Sequence, residues 1–321
     1  MKKILITGVC GFIGFSVANL LCKDKKNKII GIDNLNNYYS LKLKKNRLKE
    51  LSLFSNFKFY KLDLKNMDKL NKLSTFKFDC VINLAAQAGV RHSISFPKKY
   101  INSNIMGFFN ILEFCRLNKI KKLIYASSSS VYGDNTKFPI HEKFKLNPKN
   151  FYGYSKKSNE EMAEIYSNLY NVKSIGLRFF TIYGEWGRPD MFVLKYLQYF
   201  FFKKPKFYLY NYGNHYRDFT YIKDVVLIIK KLVSLKHKEK HSIFNICSNK
   251  PIKITKVIDI VEKYTKKKIK INKINFQVAD ILKTHGDNKK IKKITKLTKF
   301  TDINLGIKNL INWFLKYNKL N

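Results

Sequence analysis

Tyr152 and Lys156, four residues apart in Tyr152-Gly153-Tyr154-Ser155-Lys156, are the side chains here best placed to move a proton. On a helix this spacing puts both on one face. A phenol titrates near 10 and is a poor base at neutral pH unless a nearby cation stabilises the phenolate. Lys156 supplies such a cation. Upstream, Tyr125-Ala126-Ser127-Ser128-Ser129-Ser130-Val131-Tyr132-Gly133 sets a run of hydroxyls after a short apolar segment. That is the C-terminal end of a strand, where ligands of open α/β sheets bind.

A second cluster can hold a phosphate. Gly8-Val9-Cys10-Gly11-Phe12-Ile13-Gly14 lies between an apolar run and a segment of helical spacing. Glycines let the backbone turn tightly and approach a pyrophosphate, and the helix N-terminus presents unpaired N–H groups. Asp33 ends the next apolar run, 19 residues after Gly14. A carboxylate there bonds both ribose hydroxyls and repels a 2′-phosphate, which selects NAD over NADP. The positive nicotinamide ring would then assist Lys156 in lowering the Tyr152 pKa.

The elements that position these groups alternate. Strands are expected at Lys3–Thr7, Lys28–Asp33, Phe57–Leu62, Cys80–Leu84, Leu123–Ser127 and Lys173–Phe179, with helices at Phe12–Cys22, Ile101–Leu117 and Lys156–Tyr170. Such alternation implies an α/β fold with a doubly wound parallel sheet, a Rossmann arrangement. After Phe180 the rhythm is lost. Phe192–Phe202 reads as an apolar helix and Phe207–Tyr210 as a strand, while Tyr221–Leu235 and Phe244–Ile246 return to the sheet. The expected organisation is a dinucleotide-binding domain over 1–176 plus about 218–248. A smaller mixed α/β substrate domain covers about 177–217 plus 249–321.

The net charge of +41 raises the possibility of a polyanion partner. Only six of the 63 basic residues are arginine, however, and Lys, Asn, Ile, Phe and Tyr are all abundant. These are residues of A/T-rich codons, so codon bias accounts for much of the lysine, which is spread along the chain as a solvated surface would be. Neither a nucleic-acid nor a membrane partner is expected. No apolar run approaches the ~20 residues of a membrane span, and glycines interrupt the N-terminal stretch that follows Met-Lys-Lys. A cytoplasmic protein is expected. Cys10, Cys22, Cys80, Cys115 and Cys247 show no metal-ligand spacing, so they are read as reduced, mostly buried thiols and no metal is expected. Under this lysine pressure, a retained arginine marks a position that needs the forked guanidinium.

The sequence resembles the extended short-chain dehydrogenase/reductase family, in particular its nucleotide-sugar epimerases and dehydratases. The matching pieces are Gly8–Gly14, Asp33-Asn34, Asp63-Leu64, Asn83–Gln87, Asn104, Ser127–Gly133, Tyr152–Lys156, Leu177–Phe180 and Arg217–Ile222, in order over about the first 230 residues. Asn36–Leu48, Ala85–Ile94 and Tyr183–Met191 resemble the branch of UDP-glucuronate 4-epimerases, enzymes of cell-surface polysaccharide synthesis.

The resemblance implies NAD-dependent epimerisation at C4 of a UDP-sugar, with Ser128, Tyr152 and Lys156 catalytic. It implies that Gly8, Gly11, Phe12, Ile13, Gly14, Asp33, Asn34, Asp63, Leu64, Ala85, Ala86, Gln87, Asn104, Tyr152 and Lys156 hold NAD. Arg91, Ser128, Ser129, Thr181, Arg188 and Arg217 would surround the UDP-sugar. Dehydratases of the family carry an acidic pair after the catalytic hydroxyl residue. Ser129 and Ser130 stand there instead, which favours epimerisation. Beyond residue 250 the match deteriorates, because Gly286-Asp287 is not followed by the family's Thr-x-Ala-Asp stretch, and no nucleotide contact is assigned there. A homodimer is expected through Ile101–Leu117 and Lys156–Tyr170. Two other readings stay open: a 4-epimerase of neutral or N-acetylated UDP-hexoses, and a catalytically silent dinucleotide-sensing or nucleic-acid-binding protein.

Overall fold

The computed structural model describes residues 1–236, 238–276 and 281–320. Six strands arise in the first half: β1 (Lys2–Thr7), β2 (Asn27–Asp33), β3 (Phe57–Lys61), β4 (Cys80–Asn83), β5 (Lys122–Ser128) and β6 (Lys173–Phe179). Six more follow: β7 (Thr181–Tyr183), β8 (Tyr208–Tyr210), β9 (Tyr216–Tyr221), β10 (His241–Ile246), β11 (Pro251–Lys253) and β12 (Asn272–Ile274). One seven-stranded sheet runs β10-β6-β5-β4-β1-β2-β3, with every pairing parallel. Its central strands are largely apolar because helices cover both faces, and Ile4, Leu5 and Ile6 are fully buried; the edge strand β3 carries Lys58 and Lys61 and is only partly covered.

The strand order reverses between β1 and β4, and a crevice opens beyond their C-terminal ends. Thr7 bridges the two strands there. Its hydroxyl donates to Asn83 Oδ1 at 2.5 Å and accepts the Ala85 N–H at 3.1 Å. Two smaller sheets, β11-β9-β7 and β8-β12, lie outside the main one. A continuous core still joins the chain's two ends: Trp186 packs on Phe15 of the first helix and on Trp313 of the last, Ile303–Asn318.

The expected strands agree with those observed to within a residue at most ends. Three differences have physical causes. The helix expected from Lys156 starts at Phe151, because Asn150 caps it by accepting the Gly153 N–H at 2.9 Å. Tyr152 is therefore in its first turn. The helix expected over Ile101–Leu117 is α-helical only over Gly107–Leu117 and opens with a π-helical stretch, Ile101–Met106. The wider turn sets the Asn104 amide towards Gln87, whose N–H and C=O it bonds at 2.8 and 3.0 Å. The helix Leu41–Ser52 was not anticipated, since its surface is dominated by lysine and its apolar stripe is narrow. Among the described residues no helix is long and apolar enough to cross a membrane. All five cysteines are buried free thiols, and burial pushes the pKa of Cys22 and Cys80 up to about 12.

Candidate active site

The glycine-rich turn joins β1 to the helix Phe12–Cys22. Gly8 has φ +67°, and a Cβ there would lie 2.7 Å from the Ala85 nitrogen. At Gly14 a Cβ would come within hard contact of the Gly8 carbonyl. The turn thus forms a backbone-lined hollow that any side chain would fill. The following helix has no side-chain cap at Gly11, which leaves its first N–H groups for a ligand.

Gly8, Gly11, Phe12, Ile13 and Gly14 line a cleft of about 630 Å³ together with Asp33, Asn34, Asp63, Leu64, Ala85, Ala86 and Gln87. The Asp33 carboxylate accepts the Cys10 N–H at 3.0 Å and the Leu35 N–H at 2.8 Å. Burial raises its pKa, and these N–H groups with Lys44 and Arg47 oppose the rise. Asn34 bonds Asp63 Oδ2 at 3.0 Å, tying the ends of β2 and β3 together. Asn104 is the one expected cofactor residue that is not part of the cleft wall. It is buried, and it acts on the wall through Gln87 while also donating to Ser155 Oγ at 2.9 Å.

At the far end of the cleft, Tyr152 and Lys156 meet the end of β5. Lys156 Nζ donates to the Ala126 carbonyl at 2.9 Å, and burial lowers its pKa to about 8. Tyr152 and Ser128 line the same stretch of the cleft. Burial raises the phenol's pKa, while the neighbouring Ser128 hydroxyl and the charge of Arg188 oppose the rise. The sequence assigned this lowering to Lys156 and a bound nicotinamide. Within the protein alone, Ser128 and Arg188 exert it.

Arg188 lies in the segment between β7 and the helix Phe192–Phe202, as do Asp190 and Met191, and all three line the cleft with Thr181. Its guanidinium forks onto Asp190, with Nε to Oδ1 at 3.1 Å and Nη2 to Oδ2 at 2.5 Å. Tyr38 donates to the same Asp190 Oδ2 at 3.3 Å, and its ring lies under the Arg188 guanidinium. Arg91 stacks on Tyr210, 4.1 Å from the ring centre. Arg217 donates to the Tyr216 and Leu282 carbonyls at 3.0 and 3.3 Å. Arg91, Arg217, Ser128 and Ser129 also line the cleft, so every residue expected to bind substrate lies on this one wall.

The sequence from residues 4 to 247 matches the model of the NAD dependent epimerase/dehydratase family. The chain belongs to that family. It is 41% identical over 334 residues to Protein CapI of Staphylococcus aureus, covering 99% of each chain. It is 36% identical over 336 residues to UDP-glucuronate 4-epimerase 4 of Arabidopsis thaliana, covering 98% of this chain and 75% of that one. The crystal structure of UDP-glucuronic acid 4-epimerase from Bacillus cereus, in complex with UDP-glucuronic acid and NAD, superposes with a TM-score of 0.90 at 28% identity. That match covers 98% of this chain and 100% of the other.

Membership of the epimerase/dehydratase family redirects attention to cleft residues that sequence reasoning missed. Lys44 is buried, lines the cleft and donates to the Asn36 carbonyl and side chain, both at 2.8 Å. Its signal was faint, one of 57 lysines and set in a lysine-rich helix; only burial distinguishes it. Tyr38 and Asp190 fell inside motifs already noted but received no role. The reading of the region beyond residue 250 needs correction as well. Ile281 and Thr284 line the cleft, and Thr284-His285-Gly286-Asp287 is itself a Thr-x-small-Asp stretch.

Proposed function

We propose that this chain is an NAD-dependent 4-epimerase of UDP-sugars whose substrate is UDP-glucuronate and whose product is UDP-galacturonate. The observation that carries this reading is the juxtaposition, in one cleft, of the Tyr152–Ser128 pair and the Arg188 fork. A proton acceptor for a sugar hydroxyl and a guanidinium suited to a carboxylate thus face a common space beside the glycine turn. The relatives named for this activity support the substrate.

NAD in the glycine cradle would accept the hydride from C4 and return it. The cradle suits it, since Gly8 and Gly14 leave room for a pyrophosphate and Asp33 stands where a ribose would lie. Tyr152 takes the proton of the 4-hydroxyl as the C4 carbonyl forms, and returns it to the same oxygen when C4 is reduced from its other face. Ser128 orients that hydroxyl, and Lys156 holds positive charge beneath the phenolate. Arg217 grips the diphosphate while the flat 4-keto sugar turns over, with Arg91 and Ser129 completing the wall. Oxidation at C4 makes glucuronate a β-keto acid. Arg188 and Thr181 hold its carboxylate out of line with the carbonyl π-system, which suppresses loss of carbon dioxide.

The division into an NAD-binding unit (1–176 plus about 218–248) and a substrate unit (about 177–217 plus 249–321) accords with this arrangement. The main sheet supplies the cofactor end, and the segments carrying Thr181, Arg188 and Thr284 supply the sugar end. The chain acts as a homodimer in this reading. Support comes from the exposed apolar side chains Phe109, Ile165, Leu169 and Tyr170 on the helices Gly107–Leu117 and Phe151–Tyr170. Proton NMR of the purified protein incubated with UDP-glucuronate tests the activity. The anomeric signal of UDP-galacturonate should grow to a constant ratio, and its absence would overturn the reading.

A further inference from the structure

One buried ion pair is not used in this chemistry. Glu160 and Arg178 are both nearly inaccessible and bond in a double fork, Nε to Oε1 at 2.9 Å and Nη2 to Oε2 at 2.7 Å. Arg178 also donates to Tyr132 Oη at 2.8 Å and to the Glu142 carbonyl at 3.0 Å. Glu160 accepts the Ser127 hydroxyl at 2.5 Å. Burying such a pair brings little net stability, because desolvation offsets the attraction. Its position therefore matters more than its energy.

Tyr152, Lys156 and Glu160 sit at i, i+4 and i+8 of one helix and form a stripe along a single face. Two of them bond the end of β5, Lys156 to the Ala126 carbonyl and Glu160 to the Ser127 hydroxyl, and Tyr152 lines the cleft beside Ser128. Two successive residues of the strand, Ala126 and Ser127, are thus fastened to two successive turns of the helix that carries Tyr152. We propose that Glu160, held by Arg178, is a positioning residue that fixes the catalytic strand end against the helix carrying Tyr152 and Lys156. This rests on the epimerase reading above.

The electrostatics agree with the geometry. Burial lowers the Lys156 pKa, and Glu160 is the charge that raises it. Glu160 shares the helix of Lys156, Arg178 on β6 forks onto Glu160, and Tyr125 on β5 feels the charges of Glu160 and Arg178. Glu164, Tyr132 and Glu142 lie one layer further out around Glu160 and Arg178. Tyr125 and Tyr132 are held neutral, since burial raises both phenols. Glu160 is accordingly the neighbouring charge that sustains the Lys156 cation, and Arg178 is the cation forked onto Glu160 behind it.

A structural role alone and this role differ in the pH profile. Lys156 must be protonated to stabilise the phenolate, so activity falls as pH rises through its pKa. Glu160→Gln keeps the shape and leaves the Arg178 cation uncompensated, so the alkaline limb of kcat should move down by about one pH unit, as a charge one helical turn away requires. Arg178→Met leaves Glu160 unpaired and should move the limb up. The double variant removes both charges and should bring the limb back towards its original position. If Arg178→Met does not fold, Glu160→Gln and the double variant still decide the matter. Limbs that stay in place or move together while kcat falls would reduce the pair to a structural element. Absence of epimerisation by the unsubstituted protein would instead overturn the epimerase reading.

Discussion

Arg188→Lys probes the substrate most directly. In the structure the Arg188 fork already holds one carboxylate, Asp190, through Nε and Nη2. The bonds to Asp190 occupy one edge of the guanidinium, and a glucuronate carboxylate would take the Nη1–Nη2 edge. Lysine carries the same charge but a single ammonium, so it can satisfy Asp190 or the substrate well, not both in parallel. One charge-assisted hydrogen bond contributes about 1.5–3 kcal/mol, which predicts a fall in kcat/KM for UDP-glucuronate of roughly 10- to 100-fold. The freed carboxylate should also rotate into alignment with the C4 carbonyl, raising the share of decarboxylated UDP-pentose. Chromatographic separation of UDP-glucuronate, UDP-galacturonate and UDP-pentose measures both effects in one experiment. UDP-glucose, which lacks the carboxylate, should respond far less if it is turned over at all. Equal losses on both sugars would refute the reasoning, making Arg188 a partner of Asp190 only and restoring a neutral UDP-hexose as substrate.

Tyr152→Phe should lower turnover by at least ~100-fold with UDP-sugar affinity little changed, as checked by kcat and by calorimetric titration; a rate near that of the unsubstituted protein removes Tyr152 from the mechanism. The protein should purify with NAD(H) bound and need no added cofactor, because Gly8–Gly14 and Asp33 shape a retentive site; protein released free of nucleotide that then binds NADP as well as NAD would contradict this. Sedimentation at micromolar concentration should give a dimer, and Ile165→Glu should shift it towards monomer by placing a charge on the exposed apolar face. A monomeric starting protein would count against the proposed interface.

The sequence alone determined the local parts of this protein. The strands from Lys2 to Phe179, the glycine turn, Asp33 at the end of β2 and the Tyr152–Lys156 pair are all legible there. Each rests on short-range physics: apolar runs that must be buried, glycines where a side chain would collide, and a fixed helical spacing. Asn104 illustrates the limit. Its type and position were readable, but its action through Gln87 depends on a π-helical turn whose wider geometry no residue pattern announces.

Tertiary structure alone decided what faces what. Lys44 looks like any surface lysine until the helix Leu41–Ser52 docks and buries it against Asn36. Asp190 stands two residues from Arg188 in sequence, yet only the folded loop turns its carboxylate onto the fork and brings Tyr38, 152 positions away, to the same oxygen. Thr284 reaches the cleft by a bridge that pairs its segment with β9, where its N–H bonds the Tyr216 carbonyl. Glu160 carries no motif of its own, and it gains meaning when Ser127 and Arg178 arrive from β5 and β6. Such contacts follow from packing between segments distant along the chain, and the energies that choose them are shared over the whole core instead of residing in any local pattern.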